Sequence, residues 1–125
     1  LDAAETSEDE KRQYFYRTQV EKVKAIKTFL AENMSDNFTQ EELSEQFEIP
    51  LTTMKSCFRS VYGTSIGAWL TGFRMNNAAE MLINDRNKSA AEIAGLVGYD
   101  SASKFAAAFK RIMGRTPIEY RKDIR

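Results

Sequence analysis

The sequence predicts an all-α chain of about seven helices, arranged as two helix-turn-helix units joined by a long linker helix. Three observations predict it. The first is an internal repeat: aligning Phe105 on Met54 pairs Phe109 with Phe58, Lys110 with Arg59, Ile112 with Val61, Gly114 with Gly63, Thr116 with Ser65 and Tyr120 with Trp69. The upstream halves pair at an offset one residue shorter, Leu43 with Ile93, Ser44 with Ala94, Phe47 with Val97 and Ile49 with Tyr99. An offset that slips in one place marks a turn there, because turns absorb an insertion and helix faces do not. The second is that apolar residues recur at three- and four-residue steps and form no convincing strand pattern. The third is punctuation: capping residues, prolines and glycines stand where those helices should start and stop.

Taken in order, Leu1 to Arg12 is polar and mostly acidic and is expected to have no fixed structure, and residues 1–19 together read as a linker or tail from an upstream domain. Tyr14, Phe15 and Tyr16 interrupt it, either packing one or two rings on the first helix or touching an upstream domain. Val20, Val23, Ile26, Phe29 and Leu30 form one buried stripe, which makes a first helix ending near Asn33. Thr39 caps a second helix, about Gln40 to Phe47, with Glu42 as its N3 partner. Pro50 tolerates only a first turn, so it separates this helix from a third over Leu51 to Tyr62, which Gly63 stops.

Ser65 opens a fourth helix over Ile66 to Asn84, whose apolar residues Ile66, Trp69, Leu70, Phe73, Ala78, Met81 and Leu82 spread over more than one face. Asp85 to Lys88 is a loop, and Ser89-Ala-Ala-Glu92 repeats the capping box for a fifth helix carrying Ile93, Ala94, Leu96 and Val97. Gly98 turns the chain. A sixth helix over Ala102 to Met113 is capped by Asp100 or Ser101 and stopped by Gly114. Thr116-Pro-Ile-Glu119 opens the seventh, with Tyr120 facing inward. The first unit is thus 20–64, the linker helix 65–84 and the second unit 88–125. Phe58, Phe109, Trp69 and Tyr120 are read as core, and Cys57, paired with Ala108 in the repeat, as a small packed residue.

Composition bounds the function. At 125 residues, 42% hydrophobic and 29% charged, the chain can bury a core as one compact domain or two small lobes. No apolar run approaches the roughly 18 residues of a bilayer span, and the start has neither the basic end nor the apolar stretch of a signal peptide. A cytoplasmic location is expected. One cysteine forms no internal disulfide. With no histidine, no glycine-rich phosphate loop and no partner for the lone thiol, enzymatic chemistry lacks its usual groups, and neither cofactor nor metal is expected.

Eighteen basic and eighteen acidic residues cancel, but their distribution is uneven. Residues 39 to 50 carry Glu41, Glu42, Glu45 and Glu48 and no base, whereas residues 51 to 75 carry Lys55, Arg59 and Arg74 and no acid. Residues 101 to 125 carry seven bases against Glu119 and Asp123. Positive charge collects in the second half of each repeat, and a net-neutral protein of this kind can present a basic face to an anion. The acidic cluster reads as a solvated helix face that complements a helix N-terminus, or as a contact surface for a polymerase.

Tandem units have a geometric rationale. Successive major grooves on one face of B-DNA lie about 34 Å apart, and a connector helix from Ile66 to Asn84 would be about 28 Å long. In each unit the second helix would enter the groove. Arg59, Lys110 and Arg111 lie toward its C-terminal half, suited to phosphates, while the first two turns face base edges.

The two units with a long helix between them, and in particular Gly98-Tyr99, Ser101 to Lys110, Gly114, Thr116-Pro117 and Tyr120-Arg121, resemble the DNA-binding domain of AraC/XylS-family transcription regulators. Trp69-Leu70, Arg74, Ala78 and Met81-Leu82 fit the family's linker helix, and Ile26 with Phe29 to Asn33 its first helix. The resemblance covers about residues 20 to 125. It implies a bacterial regulator of promoters that binds double-stranded DNA and contacts RNA polymerase, preceded by a sensor or oligomerisation domain, as the leucine at position 1 also leads one to expect.

By position, the resemblance implies base-facing residues Thr52, Thr53, Lys55 and Ser56 in the first unit and Ala102, Ser103, Ala106 and Ala107 in the second. It implies phosphate contacts for Arg59, Lys104, Lys110 and Arg111. Many members carry a large polar side chain where this chain has Ala106 or Ala107, so hydrogen-bond readout by the sixth helix is expected to be thin, with methyl contact to thymine in its place. Glu48 stands at a turn position where glycine is usual, as at Gly98. The competing reading is a helical protein-interaction module that keeps the tandem architecture without productive DNA binding.

Overall fold

The computed structural model describes residues 3–123, with side chains from Ser7 onward. Among the described residues there are seven helices and no strand. They are α1 (Ala3–Glu32), α2 (Gln40–Gln46), α3 (Leu51–Tyr62), α4 (Ile66–Asn84), α5 (Ala90–Leu96), α6 (Ala102–Met113) and α7 (Pro117–Asp123). The chain forms two compact units, the first from residues 1–29 with Phe38–Ile66 and the second from Leu30–Asn37 with Gly67–Arg125.

The capping signals act as read. Thr39 Oγ1 accepts from the Glu42 amide at 3.0 Å and Ser89 Oγ from the Glu92 amide at 3.1 Å. In both, the glutamate reaches back to the capping hydroxyl itself. At α7 the box is fully reciprocal: the Glu119 amide donates to Thr116 Oγ1 at 3.2 Å, and Glu119 Oε1 accepts from the Thr116 amide at 3.0 Å. The Thr116 amide, and after it the Thr116 hydroxyl, hydrogen-bond the Glu119 carboxyl and hold its pKa below the ordinary value. Ser101, not Asp100, caps α6 by accepting from the Lys104 amide at 3.2 Å. Gly63 and Gly114 close α3 and α6 in the left-handed conformation.

In the first unit Val23, Ile26, Leu43, Ile49, Met54, Cys57, Phe58 and Ile66 are buried. Phe29 stands against Phe38 and Phe47, with ring centroids 4.9 and 5.6 Å away. Cys57 is packed as expected, and burial pushes its thiol pKa up. The second unit's core joins Met75, Ala78, Ala79 and Leu82 of α4 to Ile93, Ala94 and Val97 and to Phe105, Ala108 and Phe109 of α6. Arg121 of α7 closes the end of α4, its Nε donating to the Leu82 carbonyl at 2.8 Å.

Three expectations are corrected. Residues 1–12 were expected to lack structure, yet α1 begins at Ala3; Leu1 and Asp2 lie outside the described residues. This stretch is rich in strong helix formers and carries i,i+3 ion pairs, Glu8 with Lys11 and Asp9 with Arg12. Neither rests on an apolar stripe, so periodicity does not detect the helix. Tyr14, Phe15 and Tyr16 do not pack on it either, since all three are 54–67% exposed. Finally, Phe58 and Phe109 are fully buried, but Trp69 and Tyr120 are only partly so. Trp69 stacks on Phe73 at 5.2 Å, and Tyr120 meets Phe109 edge-on at 5.4 Å.

Candidate nucleic-acid interface

Each helix-turn-helix pair is fixed by its turn. In the first, the Phe47 amide donates to the Leu43 carbonyl at 3.0 Å and the Ile49 amide to the Ser44 carbonyl at 3.0 Å. In the second, the Val97 and Tyr99 amides make the equivalent bonds to Ile93 and Ala94 at 3.0 and 2.9 Å. The residue at the bend is left-handed in both, Glu48 with φ +52° and Gly98 with φ +98°. A non-glycine residue there costs about 1 kcal/mol or more, but it does not open the turn.

The bend carbonyl is held in both units, by different chemistry. Lys22 Nζ of α1 donates to Glu48 O at 2.6 Å. Asn37 Nδ2 donates to Gly98 O at 2.9 Å, while Asn37 Oδ1 accepts from Arg74 Nη2 at 3.1 Å. Arg74, only 8% exposed, also donates to Asp36 O at 3.0 Å and lies 5.9 Å from the Tyr99 ring centroid. Desolvation lowers its pKa, which a nearby Tyr99 opposes. Lys22 and Asn37 were not singled out from sequence, and Arg74 was placed only as part of the linker helix. For Arg74 a signal existed: a cation spaced four residues from Leu70 and from Ala78 sits in an apolar stripe. For Lys22 and Asn37 there was none.

These turns set which faces of α3 and α6 look outward. Met54, Cys57 and Phe58 bury one side of α3, and Phe105, Ala108 and Phe109 the same side of α6. Opposite them, Thr52, Ser56 and Arg59 run along an exposed stripe of α3, flanked by Lys55, with the half-buried Thr53 at the other edge. On α6 the equivalent stripe is Ser103, Ala107 and Lys110, flanked by Ala102 and the half-buried Ala106 on one edge and by Lys104 and Arg111 on the other. Every residue expected to face a base or a phosphate therefore lies on the outward side of its helix or at its edge.

Among the described residues Lys55, Arg59, Lys110 and Arg111 enter no ion pair, and Lys104 makes only a long, exposed one to Asp100 at 3.8 Å. Hydrogen-bonding capacity differs between the helices. Thr52, Lys55 and Ser56 occupy the positions where α6 has Ser103, Ala106 and Ala107, so α6 retains one hydroxyl.

No helix among the described residues is long and apolar enough to cross a membrane. A model of the helix-turn-helix domain family matches residues 43–123. The HTH-type transcriptional regulator ExsA of Pseudomonas aeruginosa is 32% identical over 100 residues, covering 80% of this chain and 36% of that protein. The chain spans about a third of the length of the curated relatives it matches. Among solved structures, the C-terminal domain of AraT, a response regulator from Geobacillus stearothermophilus, is 30% identical with a TM-score of 0.78, covering 82% of this chain and 84% of that one. The DNA-binding domain of AdpA, a global transcriptional factor in complex with a target DNA, is 26% identical with a TM-score of 0.76, covering 81% and 90%. The repeat, the paired turns and these matches together place the chain in the AraC/XylS family of helix-turn-helix DNA-binding domains of transcription regulators.

Proposed function

We propose that this chain is the DNA-reading part of a bacterial transcription regulator, in which α3 and α6 enter adjacent major grooves of one promoter site. The observation that carries the reading is the repeated outward stripe, polar or small in its first two turns and cationic in its last, with Arg59 and Lys110 in no ion pair among the described residues. An α-helix fits the major groove, and such cations release counterions from phosphates. A helix of α4's length, about 28 Å at 1.5 Å per residue, is of the order of the groove repeat. In the first unit Thr52, Thr53, Lys55 and Ser56 face bases and Arg59 a phosphate. In the second Ala102, Ser103, Ala106 and Ala107 face bases, and Lys104, Lys110 and Arg111 the backbone.

On this reading α4 is the linker, the domain acts by binding without catalysis, and it works in the cytoplasm. RNA polymerase and an upstream sensor or oligomerisation domain are the proposed partners of the full-length regulator. The test is selection from random duplexes, then a footprint of the recovered sequence at two salt concentrations. Two protected major grooves on one face, over about 20 base pairs and with steep salt dependence, are expected. No enrichment at low salt would overturn the reading in favour of a protein-interaction module.

A further inference from the structure

The edge of α6 that carries Ala102 and Ala106 does not end in solvent. It continues into an open hollow of about 410 Å³, whose far wall is Pro117 and Ile118 at the start of α7. No charged side chain lines it, and its only side-chain hydroxyls belong to Ser103 and Thr116. The Thr116 hydroxyl is already accepting from the Glu119 amide. Ile118 is 62% exposed beside the outward stripe, an apolar side chain left uncovered next to the surface that would meet DNA.

A phosphate does not suit this hollow. Phosphates are held by cations or convergent donors, and here the lining has no cation, while Glu119 in the first turn of α7 carries a carboxylate that favours its ionised form. Most of the lining, being alanine, phenylalanine, proline and isoleucine, offers a base edge no hydrogen-bond partner, and only the Ser103 hydroxyl could meet one. The one apolar group that standard base pairs present in the major groove is the 5-methyl of thymine.

We propose that the hollow between α6 and α7 is a thymine-methyl subsite, in which Ala102 and Ala106 form the floor and Pro117 and Ile118 the wall, so that the second unit selects thymine by apolar contact. The proposal rests on the groove reading above. It makes Ile118, on a helix that does not itself enter the groove, a specificity-determining residue. It also gives the alanines of α6 a positive role: larger side chains at these positions would fill the hollow.

The test uses the whole 125-residue chain and the duplex it selects. Each thymine is replaced singly by deoxyuridine, which removes the methyl and keeps the pairing. At one or two thymines under α6 the affinity should fall about fourfold, the equivalent of the ~0.8 kcal/mol for one buried methylene-sized group. Ile118→Ala should weaken binding to the thymine duplex by a similar factor and abolish the difference between thymine and uracil. Ile118→Thr, which keeps the branched shape and loses the apolar surface, should do the same. Lys55→Ala should weaken both duplexes equally and preserve the difference.

A duplex that is bound and selected, with no thymine sensitive to uracil, overturns the subsite and leaves the groove reading standing. A methyl effect that persists at full size in both Ile118 variants places the contact elsewhere and also overturns it. Unchanged affinity for every duplex in both Ile118 variants would likewise overturn the subsite. Failure to select any duplex removes both proposals together.

Discussion

The two helix-turn-helix units build the same turn from opposite materials. At Gly98 a Cβ would stand 2.7 Å from Arg74 Nη2 and 2.7 Å from the Met34 carbonyl, so glycine is required by both φ and space. At Glu48 the same bend carries a side chain, and a lysine ammonium from α1 holds its carbonyl. The second turn is shaped around a buried guanidinium that needs close approach, whereas the first leaves its bend open and accepts backbone strain. The outward faces differ in parallel: α3 offers side chains that can hydrogen-bond bases, and α6 offers methyls flanked by cations.

The largest expected effect breaks the second turn. Gly98→Ala combines a left-handed φ with overlap on Arg74 and the Met34 carbonyl, and should cost about 3 kcal/mol in urea unfolding. A loss below about 1 kcal/mol would mean that the guanidinium moves aside freely. Next, Lys55→Ala and Arg59→Ala should each reduce duplex affinity roughly tenfold with an unchanged melting temperature, and Arg59→Ala, which loses a phosphate contact, should lower the salt slope by about one. Unchanged affinity in both would take α3 out of the groove.

Smaller effects sharpen the contrast. Ala107→Arg adds a second cation to the stripe of α6 beside Lys110, and should raise non-specific affinity about fivefold with little change in sequence preference; loss of all binding would mean that α6 approaches DNA too closely for bulk. Glu48→Gly, relieving strain at φ +52°, should stabilise by about 0.5 kcal/mol after the added chain entropy. A destabilised variant would show that the strain is already compensated by the Lys22 contact.

The smallest effect concerns pH. The Glu119 carboxyl titrates below its ordinary value when folded, so its contribution to the α7 cap is present above the unfolded pKa and is lost as pH falls through the folded one. Glu119→Gln should lower the melting temperature slightly at neutral pH and converge on the parent in acid. Parallel curves at all pH values would dissociate the cap from this charge.

How much was legible in the sequence differed by element. α3 and α6 were bounded correctly because a cap, a proline or a glycine marks each end and a buried stripe fills the middle, and α4 because Ser65 opens it and the loop Asp85 to Lys88 follows it. The N-terminal half of α1 was missed because residues 7–17 are exposed on every face, and a helix with no buried side has no period to detect. Trp69 and Tyr120 follow the spacing of core residues, yet spacing gives direction and not depth, and both rings remain partly exposed. On α6 the outward residues were legible by position, while the hollow beside them was not, since Ile118 lies on another helix.

The sequence by itself determined the local grammar of this protein: where the helices after α1 begin and end, that the unit occurs twice, and which face of each second helix looks outward. Capping and helical period act within a few residues, so a linear reading captures them. The tertiary structure alone decided how each turn is held, because Lys22 reaches Glu48 across 26 positions and Asn37 reaches Gly98 across 61. It also decided that Arg74 is buried and that Glu48 can replace a glycine. Those outcomes depend on which atoms of distant segments converge on one carbonyl, and no local pattern encodes that convergence.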